Sequence, residues 1–313
     1  MTTLADLAEL VRAPAALSVP GDVVAGAAAA GALGSRTPAL AGASVLLYWA
    51  GMAANDWADR GLDAVERPER PIPSGRVTPA AAVGLAAGLT AAGVGLAAAV
   101  GGRRAAALAV PLAATIWGYD LLAKNTAAGP AVMAACRGLD VLLGASGGRM
   151  TRALPAAVTV AAHTWTVTAL SRREVSGADA ALPMRTLAGT ALVAASAAIP
   201  RARRAAVHSG ATDQDGATDE VGARVSRTRS AGVAAVLPVV LAGWYAARYG
   251  AAQAEVIRDP SAGRVRAAVG AGITGLPALQ GALTARGGAG LLGLAVAAAA
   301  PLGRRLARKV SPT

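Results

Sequence analysis

Long uncharged runs of Ala, Val, Leu and Gly recur along this chain, and short segments that carry most of its arginines separate them. A helix needs about 20 predominantly apolar residues to cross the hydrocarbon core of a bilayer. The runs show no alternation with a period of two, so helices must satisfy the backbone hydrogen bonds there. We therefore predict an all-α, polytopic transmembrane bundle of about nine to ten helices around a central cavity, with spans near 14–34, 39–56, 79–100, 105–121, 128–147, 154–170, 184–200, 230–247, 267–284 and 287–303.

The composition agrees with a membrane protein. Charged residues are 15% of the chain, against roughly 25% in soluble domains. The net charge of +12 comes from arginines between apolar runs rather than from a basic helix with interleaved aromatics, so nucleic acid is not an expected partner. The single cysteine, Cys136, excludes an internal disulfide and a cysteine-based zinc site.

The chain is predicted to form one domain over residues 1–313, with a flexible polar loop near 201–229. The start, "MTTLADLAELVR", lacks the basic region of a signal peptide, so no cleavage is expected. Cytoplasmic loops of membrane proteins carry an excess of Lys and Arg. This bias places the N-terminus, the loop after the second run and the basic "RRLARK" near the C-terminus on the inside.

An acidic stretch, "NDWADRGLD", directly follows the apolar run that ends near residue 56. Asn55, Asp59 and Asp63 are spaced i, i+4, i+8 and share one face of a helix, whereas Asp56 lies about 100° away. Oxygen ligands on one face suit a hard divalent cation such as Mg²⁺. The alternative is a solvated helix end with Arg60 as a surface partner. We predict a metal site, because acids at the edge of a bilayer are costly and usually functional.

The segment that follows, "AVERPERPIPSGRVTP", adds arginines and prolines. Guanidinium groups bind phosphate in a bidentate manner, and Arg67 and Arg70 lie within two turns of the aspartates. The prolines prevent a plain helix and stiffen the loop. A cation site beside such a loop at a membrane surface is what a lipid diphosphate needs.

These residues resemble the UbiA superfamily of intramembrane prenyltransferases, in a divergent bacterial branch. "NDWADRGLD" is similar to its N-x-x-x-D-x-x-x-D motif, "ERPERPIPSGRV" to the segment after it, and "WGYDLLAKN" to a Tyr followed shortly by a loop Lys. The resemblance implies transfer of a prenyl group from a polyprenyl diphosphate to an acceptor within the lipid bilayer, with Mg²⁺ as cofactor. It implies a bacterial inner (cytoplasmic) membrane protein whose active site faces the cytoplasm.

The resemblance also implies residue roles. Asn55, Asp59 and Asp63 would form the first metal site, with Asp59 and Asp63 acting in catalysis. Catalytic and diphosphate-binding roles fall to Arg67, Arg70 and Lys124, with further substrate contacts from Arg12 and Tyr119.

A second acidic motif is expected after the sixth span, where this chain reads "LSRREVSGADAALP". Ser171, Ser176 and Ala178 stand where the family has carboxylates, and Asp179 is one position displaced. Glu174 is left as a possible metal ligand, while Arg172 and Arg173 could bind the diphosphate in place of a second cation. An ordinary basic loop is the alternative.

Arg137, Asp140 and His163 are among the polar residues that fall inside predicted spans. Arg137 and Asp140 are three apart and can pair across one helical turn. An intramembrane arginine is a functional hypothesis, so Arg137 is predicted to face the central cavity and bind substrate. His163 is interpreted as a packed polar residue. Two further functions remain open, namely cyclisation of the prenyl chain without an acceptor, and binding or transport of a lipid diphosphate without turnover.

Overall fold

The computed structural model of the protein describes residues 2–13, 18–179, 181–199 and 219–299. Its secondary structure there is entirely helical, as predicted. A π-helical turn, Tyr119–Ala123, and a 3₁₀ turn, Ala145–Gly147, extend two of the helices. The α-helices are α1 Leu4–Leu10, α2 Pro20–Ala30, α3 Thr37–Ala58, α4 Arg60–Glu66, α5 Pro79–Gly118, α6 Gly129–Gly144, α7 Met150–Ser171, α8 Ala181–Ala198, α9 Asp219–Arg258, α10 Ala262–Arg286 and α11 Gly290–Ala299.

Three segments of the described chain are long and apolar enough, by length and composition alone, to cross a membrane. They are Thr37–Ala58, Pro79–Ala123 and Met150–Ser171. Gly290–Ala299 is a shorter apolar helix. The other helices pack against these segments, with α9 beside α8 and α10, and α2 between α6 and α10. The predicted bundle of about nine to ten helices is therefore confirmed as an architecture.

Helix α5 contains two antiparallel halves. Gly102 has φ 65° and ψ −158°, a conformation outside the helical region that residues with a side chain rarely adopt. The break divides the apolar run where the sequence predicted one span to end near residue 100 and the next to begin near 105. Both halves pack along α3, which is the most extensive helix contact of the bundle.

Small residues allow α2 and α6 to cross almost backbone to backbone. A Cβ atom added at Gly26 would lie 1.8 Å from the carbonyl oxygen of Val141, and one at Gly144 would lie 2.0 Å from that of Val23. Only glycine fits both positions. This is the close packing through small residues that membrane bundles use in place of a hydrophobic driving force.

The inter-helix loops gather at two ends of the bundle. At one end Arg172 Nη1 donates to the carbonyl oxygen of Thr126 at 2.5 Å, and the amide of Ala178 donates to that of Pro260 at 3.0 Å. At the other end the amide of Arg149 donates to the carbonyl oxygen of Ala30 at 3.1 Å. The acidic stretch follows α3 at the first end, which we name the motif end.

The predicted polar loop near 201–229 falls largely outside the described residues, as does the basic segment near the C-terminus. Helix α9 begins at Asp219, within the range of that predicted loop. The single-domain assignment of 1–313 stays a prediction.

Candidate active site

The acidic stretch continues the helical path of α3 into α4 with only a slight break at Asp59. The amide of Asp59 donates to the carbonyl oxygen of Asn55 at 2.9 Å, and that of Asp63 to Asp59 at 2.8 Å. These i to i+4 bonds keep a helical phase across the junction, so Asn55, Asp59 and Asp63 follow one another along one side. Asp63 is buried, at 1% exposure.

Each carboxylate of the stretch is bonded to a basic side chain. Lys124 Nζ lies 2.5 Å from Asp59 Oδ1, and Arg70 Nη1 lies 2.6 Å from Asp63 Oδ2. The same Arg70 nitrogen is 3.4 Å from Asp56 Oδ1, which also accepts from Arg12 Nη2 at 2.8 Å. Five predicted residues therefore meet in one cluster, namely Arg12, Asp59, Asp63, Arg70 and Lys124.

Arg67 is less closely bound to the acidic residues than Arg70 is. Its Nη1 is 3.7 Å from Asp63 Oδ1, and 52% of its side chain is exposed. The chain turns directly at Arg67, because the amide of Arg70 donates to the carbonyl oxygen of Arg67 at 3.1 Å. This turn brings Arg70 under the carboxylates and leaves Arg67 at the rim.

Two acidic residues of the cluster were not among the predicted site residues. Asp56 is 4% exposed and joins Arg12 to Arg70, although it lies off the face that Asn55 and Asp63 share. Asp120 accepts a hydrogen bond from Asn55 Nδ2 at 3.2 Å. The signal for Asp56 was its place directly after Asn55. The signal for Asp120 was its place as an acid at the end of the predicted span 105–121, next to Tyr119.

A π-helical turn places Tyr119, Asp120 and Lys124. The amide of Lys124 donates to the carbonyl oxygen of Tyr119 at 2.9 Å, which is an i to i+5 bond. This wider turn sets residues five apart above one another, so Lys124 stands over Tyr119 on the side that faces α3. Single π turns occur frequently at functional sites.

Helix α1 covers the cluster from the N-terminal side. Arg12, just beyond its end, has a φ of 46°, which is uncommon for a residue with a side chain. Arg76 holds α1 in place through Asp6 Oδ1 at 2.9 Å and Glu9 Oε2 at 2.6 Å. Hydrogen bonds from the Thr3 side chain and backbone, with the Arg76 guanidinium, lower the pKa of Asp6 to about 2. Both acids raise the pKa of Arg76.

The residues predicted for a second acidic motif, in the stretch after α7, lie in different surroundings from one another. Arg172 donates to the carbonyl oxygens of Lys124 and Thr126, so it supports the loop that carries Lys124. Glu174 lines the central cavity, and burial raises the pKa of its carboxyl although Arg266 opposes this. Arg173 is exposed and does not line that cavity. Asp179 accepts from the amide of Leu182 at 2.9 Å and so caps α8.

A cavity penetrates the bundle beside the cluster, and Arg12 of the cluster lines it. Its larger part has a volume of about 510 Å³ and runs from Arg12 and Tyr119 to Arg137 and His163. An adjoining part of about 240 Å³ is lined by Asn55, Asp120 and Cys136 and shares Arg12, Tyr48, Met52, Tyr119 and Met133 with it. The walls between the polar ends are apolar and include Val19, Trp49, Met52, Met133, Val167, Val269, Ile273 and Leu276.

Arg137 faces this cavity as predicted, but its ion pair differs from the expected one. Its Nε lies 2.8 Å from Asp22 Oδ2 on α2, whereas Asp140 Oδ1 accepts from Ser44 Oγ at 2.5 Å. The tight crossing of α2 and α6 brings Asp22 beside Arg137, and Gln280 Nε2 donates to the second Asp22 oxygen at 2.6 Å. No spacing along the chain could reveal that partner.

The donor set suits a hard divalent cation. Within the described residues no three His, Cys, Asp or Glu side chains lie close enough together to bind one metal ion as they stand. The carboxylates of Asp56 and Asp63 nevertheless share a single positively charged nitrogen of Arg70. Carboxylate and amide oxygens are the ligands that Mg²⁺ takes, together with water and phosphate oxygens. The residues at this place therefore fit Mg²⁺ in kind.

The fold and the site together define an intramembrane helical protein with a cluster of carboxylates and basic side chains beside an apolar cavity. Comparison with known proteins is more specific. Residues 19–204 match the UbiA prenyltransferase family, and the chain belongs to that family. It is an integral membrane protein, and the resemblance predicted from the acidic stretch is confirmed.

Two curated relatives illustrate the likeness. Digeranylgeranylglyceryl phosphate synthase of Methanothrix thermoacetophila is 55% identical over 49 residues, which is 15% of this chain and 18% of that enzyme. The enzyme of the same name from Methanopyrus kandleri is 43% identical over 76 residues, or 24% of this chain and 28% of that enzyme. The aligned segments thus span less than a third of either relative.

Two solved structures share the fold. One, from work on digeranylgeranylglyceryl phosphate synthase in membranes, has a TM-score of 0.62 at 13% identity and covers 90% of this chain and 97% of that one. A UbiA homologue from Aeropyrum pernix has a TM-score of 0.56 at 21% identity, covering 89% of this chain and 96% of that one. Membership of this family implies a prenyl diphosphate substrate in a lipid environment, and its members generally use Mg²⁺.

Proposed function

We propose that this protein transfers a prenyl group from a polyprenyl diphosphate to an acceptor inside the membrane. The observation that carries the proposal is one cavity with two chemistries. Its polar end is lined by Arg12, Asn55 and Asp120, with the ion pairs of Asp56, Asp59, Asp63, Arg70 and Lys124 beside them, and its interior is walled by apolar side chains. The named activity of the curated relatives supports it.

The basic side chains at this polar end would bind the diphosphate. Arg12 and Arg70 can each present two N–H groups to phosphate oxygens, and Lys124 adds a compact charge from the π turn. Asn55, Asp59 and Asp63 would hold Mg²⁺, with Asp56 and Asp120 beside them. A bound Mg²⁺ supplies charge stabilisation for the leaving diphosphate. Arg172 would position Lys124 through the loop carbonyl oxygens that it binds.

The interior would receive the prenyl chain and shield the reacting carbon. An allylic carbon becomes positively charged as its bond to the diphosphate oxygen breaks, so water must be excluded until the acceptor captures it. Met52, Met133, Val167 and Ile273 line the space beyond Arg12 and Tyr119. Fixed charges in a site that excludes water act more strongly than in solution. We place the motif end on the cytoplasmic side of the inner membrane, where the diphosphate headgroup would enter.

Diphosphate release from an allylic prenyl diphosphate tests the proposal. The protein is reconstituted in lipid nanodiscs with Mg²⁺ and with geranyl, farnesyl or geranylgeranyl diphosphate, with and without lipid alcohols and phenols as acceptors. Release that requires an acceptor, together with a prenylated product, is the expected result. Release without any acceptor would instead indicate a cyclase or hydrolase, and binding without release would indicate a binding protein.

The variant Asp59→Asn is expected to lower turnover by roughly a hundredfold or more, since it removes a charge that organises both Lys124 and the cation. Asp179→Asn is the matched control. Its carboxylate only caps α8, and asparagine caps helices as well as aspartate does. Equal activity of both variants would contradict the assignment of the acidic cluster.

A further inference from the structure

Asp120 is a buried carboxylate just beyond the end of α5, beside the predicted cation site. It belongs to the π-helical turn, is 6% exposed, and lines the smaller part of the cavity together with Asn55. Among the described residues its carboxylate accepts one hydrogen bond, from Asn55, and forms no ion pair. An acid of this kind at the end of a membrane span is costly and usually marks a function.

The end of α5 approaches α3 closely enough for this contact because α3 has a glycine there. A Cβ atom at Gly51 would lie 2.6 Å from Ile116 Cγ2 and 3.5 Å from Asp120 Oδ2. Gly51 stands about one helical turn before Asn55 on the same side of α3. The Asp120 carboxylate therefore lies between Gly51 and Asn55, with Oδ1 on the Asn55 amide.

Two side-chain contacts join the π turn to α3, and they engage different kinds of atom in the predicted cation site. Lys124 Nζ lies 2.5 Å from Asp59 Oδ1 and so occupies an oxygen that a cation would need. Asp120 Oδ1 accepts from Asn55 Nδ2 at 3.2 Å and so occupies the amide nitrogen, which cannot bind a cation. A cation therefore has to displace Lys124 from Asp59 but leaves the contact of Asp120 with Asn55 intact.

The contact fixes which end of the Asn55 amide is left for the cavity. An asparagine side chain carries one oxygen and one NH₂ group, which exchange places when the amide turns over. Only the oxygen can bind a hard cation, whereas a carboxylate can accept only from the NH₂ group. With Nδ2 on Asp120, the Asn55 oxygen is left free, and it has no hydrogen-bond partner in the part of the chain that the structure describes.

We propose that Asp120 is a positioning residue that holds the Asn55 amide with its oxygen towards the divalent cation. The inference rests on the proposed function in taking Asn55, Asp59 and Asp63 as the cation site. A hydrogen bond behind a metal ligand orients the ligand and raises its basicity, and its loss typically lowers metal affinity about 10–100-fold. The cation site thus depends on a residue that lies 65 positions from Asn55 along the chain.

Binding of Mn²⁺ alone, without any prenyl diphosphate, tests this role separately from turnover. The protein in lipid nanodiscs is titrated with Mn²⁺, and the free ion is measured by electron paramagnetic resonance. We expect Asp120→Ala to raise the Kd for Mn²⁺ by about tenfold or more. Asp120→Asn keeps an oxygen that accepts from Asn55 Nδ2, so its Kd should stay within about threefold of wild type. An equal loss of affinity in both variants would show that the charge of Asp120 acts on the cation directly, and would overturn the positioning role.

A double-mutant cycle determines whether Asp120 acts through Asn55. In an Asn55→Ala background, Asp120→Ala should change the Kd for Mn²⁺ by less than about twofold, because no amide remains to be oriented. A loss as large as that in the wild-type background would refute the inference. Cys136→Ala is the control, since Cys136 lines the same part of the cavity, and it should leave the Kd unchanged. The Tm of each variant without cation identifies any variant whose fold is impaired. Should Asp120→Ala be impaired, Asp120→Asn decides alone.

The outcomes distinguish this inference from the proposed function. Equal Kd values for Mn²⁺ in wild type and Asp120→Ala would overturn the role of Asp120 and leave prenyl transfer intact. Mn²⁺ binding that Asp59→Asn does not weaken would refute the cation site on which the inference rests. If Mn²⁺ binding depends on Asp120 as expected but no acceptor supports diphosphate release, prenyl transfer is refuted and the role of Asp120 stands.

Discussion

At the scale of single residues, the charges beside the polar end of the cavity already neutralise one another. Arg12, Arg70 and Lys124 are each bonded to a carboxylate before any substrate arrives. A diphosphate therefore has to compete with these carboxylates for the basic groups. A divalent cation on the carboxylates removes that competition, so cation and diphosphate should bind cooperatively through the same side chains.

Arg70 and Arg67 provide a direct test of this arrangement. Arg70 joins Asp56 to Asp63 through a single nitrogen, and its side chain is 20% exposed, whereas Arg67 is more than half exposed. Lysine keeps the charge of either residue and loses the planar fork. We expect Arg70→Lys to weaken prenyl diphosphate binding about tenfold or more in a titration with Mg²⁺. Arg67→Lys is the matched variant and should change the affinity less than threefold, as expected for an exposed pair.

An equal loss of affinity in both variants would mean that the rim and the interior of the cluster contribute alike.

The spacing of Asn55, Asp59 and Asp63 could be predicted from the sequence because it depends on one helical path. The hydrogen bond between Asn55 and Asp120 could not, since 65 positions separate the two residues along the chain. The same reason hides the pairing of Arg137 with Asp22, because helix packing rather than local spacing creates it.

At the scale of helices, apolar run length predicted several elements to within a few residues. The predicted span near 39–56 is α3, Thr37–Ala58, and that near 154–170 is α7, Met150–Ser171. Short α1 and α4 were not predicted, because seven polar and apolar residues carry no membrane signal. The π turn at Tyr119 could not be predicted either, since an extra residue in one turn does not change the hydrophobicity of the segment.

The crossing of α2 and α6 supports the cavity wall that carries Asp22 and Arg137, and Gly26 is its closest point. Alanine there would place a methyl group 1.8 Å from the carbonyl oxygen of Val141, so the helices must separate. We expect Gly26→Ala to destabilise the protein by about 1–3 kcal/mol. Thermal unfolding in detergent measures this as a lower Tm, together with weaker prenyl diphosphate binding.

Gly95→Ala is the control for helix propensity. A Cβ atom at Gly95 would meet nothing within 4 Å, so this variant should be neutral or raise stability by about 0.5–1 kcal/mol. A Gly26→Ala protein as stable as Gly95→Ala would show that α2 and α6 can move apart without cost. The importance of the crossing for Asp22 and Arg137 would then be refuted.

At the scale of the whole molecule, the charged cluster lies at one end of the bundle, the motif end. Lys124, Asp59 and Arg172 meet at the motif end, which agrees with the single diphosphate site that the family resemblance implied for them. Helix α3 connects the two ends with 22 residues, about 33 Å of helix, which matches a hydrocarbon core of about 30 Å. The motifs along the chain predicted this grouping, whereas the shape of the cavity depends on contacts among distant helices.

The orientation of the molecule follows if the motif end faces the cytoplasm. Ser74 and Ser176 are exposed in loops at that end, and Ser35 is exposed before α3 at the other. In a Cys136→Ala background, single cysteines are introduced at these three positions. An impermeant maleimide added to intact cells should label Ser35→Cys alone, because arginine-rich loops stay inside. After permeabilisation all three should react, which controls for accessibility. Labelling of Ser74→Cys and Ser176→Cys in sealed cells, with Ser35→Cys protected, would reverse the orientation. The cluster would then face the outside, and a charged prenyl donor in the cytoplasm could not reach it.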